Sequence, residues 1–502
     1  MNFSDRKFYK LALLALAIVC LFGVAQAQRR LNGQRARYGL VHDTELKGAP
    51  PVLQFTTVAL GGFRGLIANI LWVRATELQD EDKFFEMVQL ADWITKLEPR
   101  FVQVWLVQAW NMAYNISVKF PEPSDRWRWV QRGTELLRDE GLKYNPDEPL
   151  IYRELAWFFQ HKMGANLDDA HMYYKAAWVK EMQQVLGEAG RPNWDELINP
   201  ATSEGKNRSA LLRDKYKMNL RKMKEVDERY GPLEWRLPEA HAIYWASLGL
   251  DKTKGQKDLI VLRRVIYQSM QLAFQRGRLV HARIGEGEIL FLQNLDIIPK
   301  TSAAYEEAIE QDVENRDHIR RAHRNFLLDA IYFLYVNNRM RDAAHWYQYL
   351  RETYPDAMLA RNPDGSYNRQ RPPLTLEEYA LSRYGVDITE TDQNRVKAMI
   401  TGLFVNAFSS LLLGEDESAH AHERMAQRVY ELYEEKTDLR SSKTQEKRLT
   451  LGPLADLRRL ALNDMLDPQK GLQPELAAQL RTLLNLPGPT NAPPAVTPAP
   501  KP

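Results

Sequence analysis

His161, Asp168, Asp169 and His171 come nearest, by type and spacing, to a set that could hold a metal. Two imidazoles and two carboxylates suit zinc, and a loop between two helices would bring them together. The same residues also have a structural reading. Asp168 or Asp169 is well placed to cap the following helix, and each histidine can hydrogen-bond nearby. His420, His422 and Glu423 are a weaker set, because histidines two apart on a helix point in different directions. The patterns H-E-x-x-H, G-x-S-x-G and G-x-x-x-x-G-K-S/T do not occur. Gly285-Glu286-Gly287-Glu288 lacks the strand that introduces a phosphate cradle and reads as a turn. No catalytic residue, cofactor or resident metal is expected.

Aromatic residues offer a second kind of chemistry. Eight of the twelve Trp lie between Trp72 and Trp178. They could line a groove for a peptide or glycan, or fill the space between helices. Spacings such as Trp93-Leu97 and Trp105-Ala109 favour filling. Trp127 and Trp129 are the expected exceptions, since one helix face cannot bury both. The basic stretch from Lys206 to Lys224 is diluted by Asp214 and followed by Glu225, Asp227 and Glu228, and reads as a solvated helix face. With a net charge of only +3, nucleic acid is not an expected partner.

The elements that position these residues read as helices throughout. Phe84–Leu97, Phe101–Val118, Trp127–Leu142, Leu150–Lys162 and Asp169–Leu186 carry apolar residues at three- and four-residue steps between breaks such as Pro99 and Asn145-Pro146. A charged, less regular insertion spans 187–237, and helix pairs resume over 238–357. A turn-rich linker covers 358–375, helices occupy 376–466, and 487–502 is a Pro-rich tail expected to be disordered. No strand-like alternation of comparable length is present, so the expected fold is all-α.

Arg324 to Pro355 is the clearest helix–turn–helix unit. Leu327, Ala330, Ile331 and Leu334 share one face, Asn337-Asn338 break the pattern, and Ala343, Tyr347 and Leu350 form a second face before Pro355. This order resembles the tetratricopeptide (TPR) repeat, whose helix pairs stack to bury their apolar sides. Ile331 and Leu350 are larger than the family prefers, and Pro99 and Pro146 are 47 residues apart, so the resemblance implies an irregular TPR-like α-solenoid. Region 60–178 is also similar to a group of exported bacterial TPR-like proteins with no assigned chemistry. The likeness rests on Phe63-Arg64-Gly65-Leu66, Leu71-Trp72, Ala109-Trp110-Asn111, Ala113-Tyr114-Asn115 and Glu154-Leu155-Ala156-Trp157. The resemblance implies a scaffold that binds a protein or peptide along the first helices of successive pairs. Asn111, Tyr114, Asn115, Arg153 and Gln160 are its expected hydrogen-bonding residues. The rivals are a helical envelope enzyme with a His/Asp metal site and a structural cell-envelope component.

Location is suggested by the N-terminus. Arg6, Lys7 and Lys10 precede an apolar run from Leu11 to Val24 and then Ala25-Gln26-Ala27. Residues 1–28 read as a secretory signal or a membrane anchor facing the periplasm, and 29–57 as a basic tether. The single cysteine, Cys20, lies within the apolar run, which excludes intramolecular disulfides and any Cys-based zinc site.

Overall fold

Helices dominate because the sequence supplies both their apolar faces and their boundaries. The computed structural model describes residues 3–37, 63–187, 191–253, 259–281, 289–359, 369, 372–382, 393–444, 451–468 and 471–486. The fold is all-α apart from one short hairpin. The chain divides into two compact units, Met1–Arg74 with Asp92–Glu98, and Ala75–Ala91 with Pro99–Pro502.

Helix α1, Phe3–Arg37, is continuous through the basic residues that the sequence suggested as a tether. Arg, Leu, Gln and Ala are good helix formers and carry the helix past Ala27 despite Asn32 and Gly33. Residues 38–62, which include the rest of that tether, lie outside the described residues. Helices α2 (Phe63–Asp80) and α3 (Phe84–Leu97) follow.

In the larger unit, α4 (Val102–Trp110), α5 (Pro123–Glu135) and α6 (Pro149–Trp157) each run on into a π-helical turn, at Asn111–Ile116, Leu136–Gly141 and Phe158–Gly164. A π turn accommodates one extra residue and re-aims the side chains beyond it. Then come α7 (His171–Leu186), α8 (Trp194–Ile198), α9 (Ser203–Ala210) and α10 (Leu220–Tyr230). Asn193, Thr202 and Asn219 cap the last three through side-chain oxygens that accept backbone N–H groups. Residues 191–237 of the charged insertion therefore carry helices of their own. Leu197, Leu212, Met223 and Val226 join the main core, while Lys206, Arg213, Lys217 and Arg221 are exposed.

Helices α11 (Pro238–Lys252) and α12 (Ile260–Arg276) pack on each other and on α6. Next is an antiparallel pair that the sequence reading missed, β1 (Arg278–His281) with β2 (Ile289–Leu292). Leu279 faces Phe291 across it and packs with Val179 and Leu237. The Gly-Glu repeat assigned to a turn lies between these strands, outside the described residues. Then α13 (Ile298–Gln311), α14 (Arg316–Val336) and α15 (Met340–Thr353) pack each on the next. The main core runs from Trp105 to Tyr379. A second core joins α16 (Leu376–Ser382), α17 (Gln393–Leu412), α18 (Asp416–Thr444), α19 (Leu454–Leu466) and α20 (Pro474–Leu483). Most of 358–375 and all of 487–502 lie outside the described residues.

The 324–355 unit forms as α14–turn–α15, with Leu327, Ala330, Ile331, Ala343 and Leu350 fully buried. Ile331 and Leu350, the two large residues at small-residue positions, are accommodated in the core. Asn337 Nδ2 donates to Phe333 O at 2.8 Å, and Asn338 makes the turn at φ 60°, where an amide side chain is tolerated and a β-branched one is not. Asn338→Val is expected to cost about 1–2 kcal/mol, and Asn338→Gly less than about 1 kcal/mol, measured by urea unfolding.

Candidate functional site

Two π turns create the most distinctive constellation. Tyr114 lies on the turn after α4 and His161 on the turn after α6, and the Tyr114 hydroxyl is 3.0 Å from His161 Nδ1. Burial raises the tyrosine pKa, and the nearby Glu154 carboxylate adds to the effect, so the phenol keeps its proton. His161 is pushed the other way, first by burial and then by Lys162 and Arg153, so the imidazole stays neutral. A neutral imidazole that accepts at Nδ1 carries its proton on Nε2, at the opposite edge of the ring.

Aromatic rings extend this pair into a row. Trp110 meets Tyr114 edge-on with centroids 4.1 Å apart. The Trp157 ring stacks on His161 at 4.5 Å, and the Arg153 guanidinium lies 4.8 Å above Trp157. Arg153 also donates to Glu154 Oε2 at 2.6 Å. Trp110 is 39% exposed, and Tyr114, Arg153, Trp157 and His161 are half-buried. The result is a partly open surface of aromatic faces with one cation over it.

Of the five expected binding residues, Tyr114 and Arg153 belong to this row. Asn111 and Gln160 do not. Asn111 is buried and donates to Phe84 O at 3.2 Å, and Asn115 donates to Asn111 Oδ1 at 3.1 Å. Gln160 is buried and donates to Gln268 Oε1 at 3.3 Å. Asn111 and Gln160 thus link their helices to neighbouring ones, while half-buried Asn115 bonds within its own turn. Trp110, Trp157 and His161 were missed as members. Their i,i+4 spacings to Tyr114 and to one another were readable, but the link between Tyr114 and His161 joins turns 47 residues apart.

The expected Trp exceptions are corrected. Trp127 is buried against Tyr174 and Trp178, and Trp129 packs on Phe85 and Phe120. Residues two apart do point to different faces, but both faces of α5 are covered. The exposed Trp residues are Trp93 and Trp110.

The four candidate metal ligands do not converge on one point: the two aspartates share Arg126, and the two histidines have other partners. Asp168 takes Lys162 Nζ at 2.5 Å and Arg126 Nη1 at 3.4 Å, accepts the Ala170 N–H at 2.9 Å, and accepts the Tyr174 hydroxyl at 3.3 Å. Asp169 lies 3.5 Å from Arg126 and its side chain is exposed. His171 Nδ1 is 3.0 Å from Lys175 Nζ, while His161 belongs to Tyr114. Lys175 is itself buried, and its pKa falls to about 8, mainly through burial and then through Arg276. Near the C-terminus, Glu423 accepts from Arg458, and His420 contacts the Asp416 carbonyl. Among the described residues, no group of three or more His, Cys, Asp or Glu is placed to hold a metal ion.

The chain matches no family model, no curated protein and no solved structure.

Proposed function

We propose that this chain is a binding scaffold of the cell envelope, an irregular TPR-like stack of helix pairs that holds an extended protein or peptide segment. The observation that carries the reading is the row Trp110–Tyr114–His161–Trp157 with Arg153 above it. Partly open Trp, Tyr and Arg side chains fixed on packed helices are the residue types that dominate binding energy at interfaces. Apolar or aromatic side chains of the partner fit against Trp110 and Trp157. A partner carboxylate or carbonyl fits Arg153. Helices packed each on the next support the repeat reading. The N-terminal segment supports an envelope location, by export or by anchoring at the membrane.

Selection of displayed random peptides on the purified full chain tests this. Enriched peptides are expected to share an apolar or aromatic residue near an acidic one. Trp157→Ala and Arg153→Ala are each expected to weaken them at least about tenfold with helix content unchanged. Failure to enrich, or peptides that bind Trp110→Ala, Trp157→Ala and Arg153→Ala like the wild type, would overturn the reading.

A further inference from the structure

Helix α1 leaves apolar side chains without a protein surface to cover them. Leu16, Ile18, Val19, Leu21, Phe22 and Val24 are all more than half exposed. At 3.6 residues per turn, these positions spread round the whole circumference of the helix and do not form a stripe. A stripe fits a groove or a second helix, whereas a helix that is apolar on all sides needs an apolar surround. The same helix carries its charge at its two ends. Between residues 1 and 37, Asp5 is the one acidic residue, against seven Lys and Arg. Arg29, Arg30 and Arg37 stand exposed on the turns that follow the apolar run.

We propose that α1 seats its apolar segment in a phospholipid bilayer with anionic headgroups, and that Arg29, Arg30 and Arg37 bind those headgroups. This rests on the envelope location proposed above and adds its lipid chemistry. The Leu11–Val24 run is about 21 Å long as helix, less than the roughly 30 Å of a hydrocarbon core. Among the described residues, no helix is long and apolar enough to cross a membrane. The side chains of residues 3–14 lie outside the described set, so the anchor expectation falls partly beyond it. With so short a segment, the flanking arginines are drawn to the interface, with their stems along the acyl boundary and their guanidinium groups among the phosphates. Each exposed cation near an anionic leaflet strengthens attachment roughly fivefold, so three contribute on the order of 100-fold.

Cys20 gives a direct probe. It is the single cysteine, exposed in the middle of the apolar segment. The full chain, labelled there with a polarity-sensitive dye, is titrated with vesicles of phosphatidylcholine, with or without phosphatidylglycerol, alongside flotation. The dye is expected to shift blue on the anionic vesicles, at a lipid concentration on the order of 100-fold below that needed with neutral ones. The triple variant Arg29→Ala/Arg30→Ala/Arg37→Ala is expected to erase that preference, and Leu21→Asp/Phe22→Asp to abolish binding to both. Equal binding to the two vesicle types would overturn the headgroup assignment while leaving membrane attachment intact. Absence of flotation with either, or self-association through α1 without lipid, would overturn membrane attachment as well.

Discussion

Asp168→Ala is expected to destabilise the larger unit by about 3–5 kcal/mol, the largest effect of any single substitution proposed for this chain. The carboxylate lies between two cations, and its side chain and that of Lys162 are only 8% and 4% exposed. Burial alone would raise the Asp168 pKa, but Lys162, the Ala170 N–H and Arg126 together hold it below the ordinary carboxylate range. Lys162 shows the reverse balance, its pKa lowered by burial more than Asp168 restores it. Removing the carboxylate leaves a buried ammonium between the rings of Tyr114 and Tyr174, 4.9 and 5.8 Å from their centroids. Such an ammonium must lose its proton or admit water, and either is costly. Asp168→Asn keeps an acceptor for the Ala170 N–H and isolates the charge term, so most of the loss should persist. The double variant Lys162→Met/Asp168→Asn should recover most of it, because the uncompensated charge is gone. Urea unfolding followed by tryptophan fluorescence reads this region, since eight of the twelve Trp lie between Trp72 and Trp178. A loss below about 1 kcal/mol for Asp168→Ala would show that water already screens the pair.

The same carboxylate shows how far the sequence could be read. Helical periodicity placed Phe84–Leu97 and Leu454–Leu466 at their observed limits, because local spacing and helix-breaking residues decide those ends. It singled out His161 and Asp168 only as possible metal ligands, with capping and local hydrogen bonds as the alternative. It could not show that Asp168 would pair with Lys162 and also meet Arg126, 42 residues away, or that Tyr114 would meet His161, 47 residues away. Those pairings depend on helix packing and on π turns, which displace side chains from ordinary helical register. Trp129 shows a related difficulty. Its direction relative to Trp127 was readable, but the rings that cover it, Phe85 and Phe120, come from elsewhere in the chain. The hairpin at Arg278–His281 and Ile289–Leu292 was missed because four-residue strands are too short for alternation to stand out.

Stability is expected to fall as pH drops from about 6.5 to about 4, through His241 and His323. Both are almost wholly buried, and burial pushes the pKa of each from 6.5 down to about 4. His241 is enclosed by the rings of Phe159, Trp178 and Trp235, and donates from Nε2 to the Trp235 carbonyl at 2.8 Å. His323 joins α14 to α13 and to the residue that follows α15: Nε2 is 2.9 Å from Ser302 Oγ and Nδ1 is 3.0 Å from the Tyr354 hydroxyl. Glu306 favours its charged form and Arg320 opposes it, but burial outweighs both. Between these pKa values the unfolded chain takes up protons that the folded chain refuses. Stability therefore rises with pH across the window, is fully present above about 6.5, and has been lost by about 4. A fall from 6.5 to about 4 corresponds to about 3 kcal/mol per histidine. Glu154, whose pKa is raised by burial, acts in the opposite direction. Asp168, held low by Lys162, the Ala170 N–H and Arg126, and Asp312, held low by Asn315 and then Arg264, lose their contribution only as pH falls further. Burial also lowers His161, His171 and His422, so urea unfolding at closely spaced pH values should show the slope, and His241→Phe, which keeps a ring among its aromatic neighbours, should reduce it by less than half. Equal stability at pH about 6.5 and about 4.5, or an unchanged slope in His241→Phe, would mean that these imidazoles take up protons in the folded state as readily as in the unfolded one.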